Sequence, residues 1–556
     1  MGQIFSERHR FDLWLKLELA VAEGWTRQGR ISEADYRQMR SKARFNLKLM
    51  QDYEEKVEHE VVAFVSTVGE SLGDLSRYFH LGLTSSDVMD TALSLQMQEA
   101  WEVLLPEVEQ LVKQLGALAL KHRRTVMIGR THGIHAEPIT FGLKVLVWYE
   151  ELKRALARLE RARDETAVGK LSGAVGNYAH VPPELEEWVM AKLGLKAEPV
   201  SNQIVQRDRH AYAMCALAIL GGTLERIAVE IRSLQRTEIG ELAEPFMAGQ
   251  KGSSSMPHKR NPILCERVSG IARMLRGYAH VALENQPLWN ERDISHSSTE
   301  RVTLPDAFIL ADYMVAKMQF IIEGLVVNPR RMEENIGATR GLIFSQKLML
   351  ALTKKGLSRE EAYNLVQKPA MQAYEEGKHF YALVKDSREI RKHLGLRELS
   401  DVFSVEPHLW HVDDIFRRVG LLEASRPPEK PKAKPPAKPE AKRGARERRA
   451  TPTRRHLPRK PLPDERDERA KEPAKSDAEK PEAKPGSRRR RASSTRRPYA
   501  REAAPKEQPE SPPEPGADTP EAQPAKRPTQ RGRRGGRRRS ASAKSNKPSG
   551  DTQETP

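Results

Sequence analysis

Between about Asp208 and Glu241 the apolar side chains Leu217, Leu220, Leu224, Ile227, Ile231 and Leu234 recur at intervals of 3, 4, 3, 4 and 3 residues. That is the seam of a coiled coil, and a helix carrying it over such a length must be partnered along all of it. Stretches of similar length and composition run from about Phe141 to Val168 and from about Leu304 to Val327. Together they predict a central bundle of long helices. The rest of the body is rich in Leu, Ala, Glu, Lys and Arg and has no convincing alternating strand pattern, so the fold class expected is all-α.

The pattern stops near Ser425. From Arg426 onward the chain carries 38 Lys and Arg against 19 Asp and Glu, 24 of its 37 prolines, and a single aromatic residue, Tyr499. This tail accounts for the whole excess of +18, so the body is close to neutral and the basic pI says nothing about its surface. A segment so poor in apolar area cannot offset the entropy of ordering its backbone, and it is expected to be disordered. The divisions expected are a helical domain over 1–86, the long-helix bundle over 87–333, a second helical domain over 334–424, and the basic tail over 425–556.

Two cysteines, Cys215 and Cys265, are too few for a disulfide framework and fit a reducing compartment, with the cytosol the default. No apolar run of 18 residues is present, so no membrane span is expected.

Chemistry is concentrated in a few polar segments. Gly252-Ser253-Ser254-Ser255-Met256-Pro257-His258-Lys259-Arg260-Asn261-Pro262 lies between helical stretches, and its glycine, hydroxyls and prolines make it a donor-rich loop suited to anions. Thr84-Ser85-Ser86-Asp87 reads as a helix N-terminus, which also attracts anions. Histidines stand in Glu58-His59-Glu60, at His80, and in Gly129-Arg130-Thr131-His132-Gly133-Ile134-His135-Ala136-Glu137-Pro138. Gly133 and Pro138 disfavour a helical metal-binding pair of His132 and His135, and no cysteine cluster joins them, so no metal is expected. Gln206 to His210 and Arg292 to Arg301 offer guanidinium groups suited to carboxylate or phosphate, although a surface charge cluster would read the same way.

The loop from Gly252 to Pro262 resembles the signature of the fumarase/aspartase superfamily, whose members eliminate fumarate from succinyl compounds. Its Met-Pro-His-Lys-Arg-Asn-Pro form is similar to the adenylosuccinate lyase family more than to fumarase, aspartase or argininosuccinate lyase. The Gly129–Pro138, Gln206–His210 and Arg292–Arg301 segments resemble the same family, and the likeness extends over nearly all of residues 1–422. The resemblance implies a three-domain all-α fold and a cofactor-free homotetramer whose active sites draw on three subunits. It implies succinyl-purine substrates, with adenylosuccinate and succinylaminoimidazole carboxamide ribotide each releasing fumarate.

The resemblance further implies Ser253 as base, His132 as acid and His59 as its assistant. Lys259 and Glu266 join the catalytic set. His80, Thr84, Ser85, Thr131, Gln203, Asn261, Arg292, Ser297 and Arg301 are implied to hold substrate. Two departures stand out. Glu58-His59-Glu60 occupies the place where the family often shows a basic residue, His and Asp. Phe11-Asp12-Leu13-Trp14 arrives too early for the family's Arg-Tyr phosphate grip to precede it, which implies either an upstream start or a reassigned phosphate contact. Another fumarate-releasing lyase is the nearest alternative. A nucleic-acid-binding protein on a helical scaffold is the alternative from another class. The Arg-Gly runs of the tail suit RNA or another polyanion, and equally a solubilising appendage.

Overall fold

The computed structural model describes residues 1–423; the expected disordered tail lies outside them. The chain opens with α1 (Glu7–Arg27), α2 (Glu33–Lys42), α3 (Leu47–Val57) and α4 (Glu60–Leu72), followed by the long α5 (Ser85–Lys121). Strands β1 (Val126–Thr131) and β2 (Ile134–Thr140) lead into α6 (Phe141–Glu165), β3 (Val168–Gly169), α7 (Pro183–Leu193), β4 (Lys196–Ala197) and α8 (Arg207–Gln235). After β5 (Leu242–Ala243) come α9 (Ile263–Glu284), α10 (Ser295–Glu323), β6 (Val326–Val327), α11 (Pro329–Gly337), α12 (Ser345–Lys354) and α13 (Arg359–Glu376), with short helices completing the described residues.

The bundle is built as its seam requires. All six seam residues of α8 are at most 2% exposed, and burial of each contributes roughly 1.5–3 kcal/mol. α8 packs against α9, α6 and α10, and α5 closes the bundle against α6 and α10. A second apolar cluster joins α1, α4 and α7 to the first turns of α5, around Phe11, Trp14 and Phe64. A third lies between Leu348 and Val402. Among the described residues no helix is long and apolar enough to cross a membrane.

The fold is all-α in class, yet the described residues contain three small two-stranded sheets that the sequence pattern does not announce. β1 and β2 form an antiparallel hairpin, pairing Arg130 with His135 and Thr131 with Ile134 across a two-residue turn. Gly129 and Pro138 interrupt any apolar alternation in these strands, and a bulge between Ile128 and Arg130 shifts the register. The other sheets pair β3 with β4 in parallel and β5 with β6 in antiparallel fashion.

Helix α10 begins nine residues before the expected Leu304 and runs through Pro305. A proline there removes the amide that would reach the Arg301 carbonyl. Burial of Leu304, Ala307 and Phe308 against the bundle holds the helix together regardless.

Candidate active site

Two adjoining cavities of about 280 and 400 Å³ share Ser86, Met89, Arg292, Ser297 and Arg301 in their walls. The larger also takes in His59, Thr84, Ser85 and Gln203, so seven of the expected residues, counting Arg292, Ser297 and Arg301, meet around one space.

Each is placed by a local cause. Thr84 is the N-cap of α5, and its amide donates to Asp87 Oδ2 at 2.9 Å in a capping box. The cavity therefore faces the positive end of a 37-residue helix. His59 is the N-cap of α4, its Nδ1 accepting from the Val62 amide at 3.3 Å. A neutral ring accepting at Nδ1 carries its proton on Nε2, which has a donor to offer. The preceding Glu58 closes α3 in the left-handed region at φ 50°.

Arg292 is half-buried and has neutral partners. It donates to Gln203 Oε1 at 3.0 Å and to His296 Nε2 at 3.3 Å. Burial depresses its pKa by disfavouring the charged form, a cost that an incoming anion would offset.

Beneath Arg292 lies a charge cluster that sequence reasoning did not single out. Arg207, fully buried, donates to Asp90 at 2.6 and 3.0 Å and to Glu300 at 2.9 and 3.0 Å, and His296 Nδ1 meets Glu300 Oε2 at 3.1 Å. Burial raises the carboxyl pKa values, but Arg207, helped by His210 at both and by the His296 bond at Glu300, outweighs it and holds Asp90 and Glu300 below the usual carboxylate range. Among the described residues neither ring nitrogen of the neighbouring His210 has a hydrogen-bond partner; burial, then Arg207, pushes its pKa down to about 4. Arg207, His210, His296 and Glu300 all fall inside the quoted polar segments. Asp90, more than a hundred residues away, carries no such signal.

His80 does not line these cavities. It sits in the left-handed region at φ 59°, with its amide and Nδ1 both held by Glu18, at 3.0 and 2.6 Å. Burial lowers its pKa, but the bond to Glu18 and the charges of Glu18 and Asp87 together outweigh it, and the net shift is upward.

The remaining expected residues lie elsewhere on the subunit. His132 and Gly133 are the two central residues of the β1–β2 turn, both at positive φ, 55° and 78°. This is a type I′ turn, in which the glycine is at ease and the histidine is strained by about 1–3 kcal/mol. His132 and Thr131 are thereby held exposed at the hairpin tip. The hairpin is anchored by Arg130, which grips the fully buried Glu241 at 3.0 and 2.6 Å, and Asn335 binds the same carboxylate at 2.7 Å.

The Gly252–Pro262 loop leaves from the same anchor. Glu244, just beyond Glu241, caps α9 by accepting from the Leu264 and Cys265 amides at 3.1 and 2.5 Å. Ser253 Oγ accepts from the Ser255 and Met256 amides at 3.3 and 3.2 Å, and Asn261 Nδ2 closes the loop onto the Gly252 carbonyl at 3.0 Å. Lys259 is exposed, as is Glu266 in the first turn of α9. No residue of this loop, nor His132, lines either cavity. The described residues thus present three pieces: an arginine-bearing cavity, a strained histidine tip, and a serine loop.

The sequence matches the lyase family over residues 1–277 and the adenylosuccinate lyase C-terminus family over residues 341–419. It is 49% identical to the adenylosuccinate lyase of Thermotoga maritima over 418 residues, covering 75% of this chain and 97% of that one. To the adenylosuccinate lyase of Bacillus subtilis it is 48% identical over 421 residues, covering 76% and 98%. Among solved structures it is similar to a fumarate lyase from Mesorhizobium sp. BNC1 (TM-score 0.69, 29% identity, 75% of this chain and 96% of that chain). It is also similar to the 3-carboxy-cis,cis-muconate lactonizing enzyme of Pseudomonas putida (TM-score 0.69, 28% identity, 75% and 95%).

Proposed function

The chain belongs to the adenylosuccinate lyase family of carbon–nitrogen lyases, and on that premise we propose that it releases fumarate from adenylosuccinate and from succinylaminoimidazole carboxamide ribotide in purine synthesis. The observation that carries the reading is Ser253 Oγ, which accepts two backbone amides within the loop. A serine is a poor base until its alkoxide is stabilised, and two fixed N–H dipoles supply that stabilisation.

In the elimination, the Ser253 alkoxide takes the proton from the carbon beside a succinyl carboxylate. Charge accumulates on that carboxylate, where Lys259 and Asn261 meet it. The electron pair then forms the C=C bond of fumarate as the C–N bond breaks, and His132 protonates the departing nitrogen. His59 assists, donating from Nε2. His80, Thr84, Ser85, Thr131, Gln203, Arg292, Ser297 and Arg301 hold the anionic and polar groups of the substrate, and Glu266 completes the catalytic set.

That neither His132 nor Ser253 lines the arginine-bearing cavity supports a homotetramer in which neighbouring subunits complete each site. Exposed apolar side chains along the long helices, such as Val147, Ile219, Val229, Met274 and Val302, provide faces for that assembly. The divisions at 86/87 and 333/334 belong to this proposal, as does a cytosolic location. Purified protein tests the reading directly: fumarate appears from adenylosuccinate but not from argininosuccinate, and the reverse preference sinks it.

A second role rests on the confinement of the net positive charge to residues beyond Ser425. The tail adds RNA or other polyanion binding to the lyase. Deleting 426–556 then abolishes salt-sensitive RNA retention while leaving kcat unchanged; equal retention by both forms makes the tail a solubilising appendage.

A further inference from the structure

Arg10 on α1 and Arg301 on α10 face the smaller cavity, and the carboxylate of Glu60 lies between them. Arg10 Nη2 donates to Glu60 Oε1, and Arg301 Nη2 donates to Oε2 at 2.7 Å. Arg10 is braced over the rings of Phe11 and Trp14, at 4.7 and 5.5 Å. Arg301 is about half exposed while Glu60 is 10% exposed, so the pair meets solvent on the guanidinium side.

The contrast with Arg207 in the same wall is informative. Arg207 is buried and matched by two carboxylates, which makes it a fixed part of the wall. Arg10 and Arg301 share one carboxylate between them and keep donors to spare. That carboxylate stands at the very start of a helix: Glu60 is the first residue of α4, two residues after left-handed Glu58.

We infer that Glu60 is a displaceable internal anion, occupying a two-arginine clamp of Arg10 and Arg301 that receives an oxyanion of the substrate. The clamp suits a tetrahedral phosphate or a planar carboxylate, since guanidinium groups bind either through paired N–H donors. Affinity is then set by competition, because only the fraction of molecules with Glu60 swung out is competent. The inference deepens the lyase reading by naming the residues that meet the substrate's anionic group.

Calorimetric titration of the full chain with inorganic phosphate, and separately with succinate, tests it without turnover. Glu60→Gln is expected to bind one of these anions about tenfold more tightly, the gain from one charge-assisted contact no longer contested. Tightening for phosphate assigns the clamp to the phosphate group, and tightening for succinate assigns it to a carboxylate. Arg10→Gln, with Glu60 intact, weakens the same anion by about tenfold or more. If Glu60→Gln binds both anions no better than the parent, Glu60 is a strut for Arg301 and the inference is overturned. Should that variant not fold, Arg10→Gln decides alone, and unchanged anion affinity overturns the inference. A chain that binds anions this way without releasing fumarate refutes the lyase reading and leaves the clamp standing.

Discussion

Gly252→Ala probes the serine loop through its neck. Gly252 is buried, and a Cβ placed on it would lie 1.9 Å from the Lys259 carbonyl oxygen and 3.1 Å from the Arg260 Cα. A relaxed carbon–oxygen contact is about 3.3 Å or longer, so the neck must open by more than about 1 Å. The obstacle is backbone, which cannot rotate aside as a side chain would. The residues displaced are Ser253, next in sequence, and Lys259 itself, together with the Asn261 bond to the Gly252 carbonyl at 3.0 Å. Misplacing reacting groups by 1 Å costs about 10²-fold in rate, so kcat is expected to fall about a hundredfold. The strain is confined to a solvent-facing loop, and overpacking of this kind destabilises by about 1–3 kcal/mol, leaving the protein folded. Fumarate release measured beside a thermal melt separates the two effects. A folded variant whose kcat stays within about threefold of the parent would show that the neck does not set the geometry of Ser253 and Lys259.

Other parts of the structure make independent predictions. Arg130→Met leaves Glu241, fully buried, without its cationic partner, and chemical denaturation should show a loss of about 3–5 kcal/mol; a loss below about 1 kcal/mol would mean the hairpin is not anchored there. His210, held neutral by burial with a pKa of about 4, takes up a proton on unfolding at any pH between that value and about 6.5. The stability it lends is therefore present above about pH 6.5 and lost as pH falls toward 4, and His210→Phe should flatten the melting temperature over that window. An unchanged acid slope would assign the effect to other groups.

The bundle was legible because burial on one face of a long helix writes a periodicity into the sequence, and the α8 seam is buried along its whole length. The β1–β2 hairpin left no such mark. Its order comes from a type I′ turn and from the Arg130–Glu241 pair, whose members are 111 residues apart. The start of α10 was hidden by Pro305, a helix breaker overruled by packing.

In the candidate site, Thr84 and Ser85 were legible as a helix start and Arg292 as part of a cation pattern, the resemblance added Ser297, and all four line one cavity. The Asp90–Arg207–Glu300 cluster and the Arg10–Glu60–Arg301 clamp were not, because each is assembled from residues 50 to 241 positions apart. Distances of that order along the chain are set by how helices pack, which local composition does not encode.

The central claim is that Ser253 removes the proton and His132 supplies one, although neither lines the arginine-bearing cavity of its own chain. It is tested most directly by measuring fumarate release from adenylosuccinate by Ser253→Ala and His132→Ala, with light scattering to follow the assembly. The account predicts that each variant keeps the parent's oligomeric state and loses about 10²–10⁴ in kcat. Near-native turnover by either correctly assembled variant would contradict it.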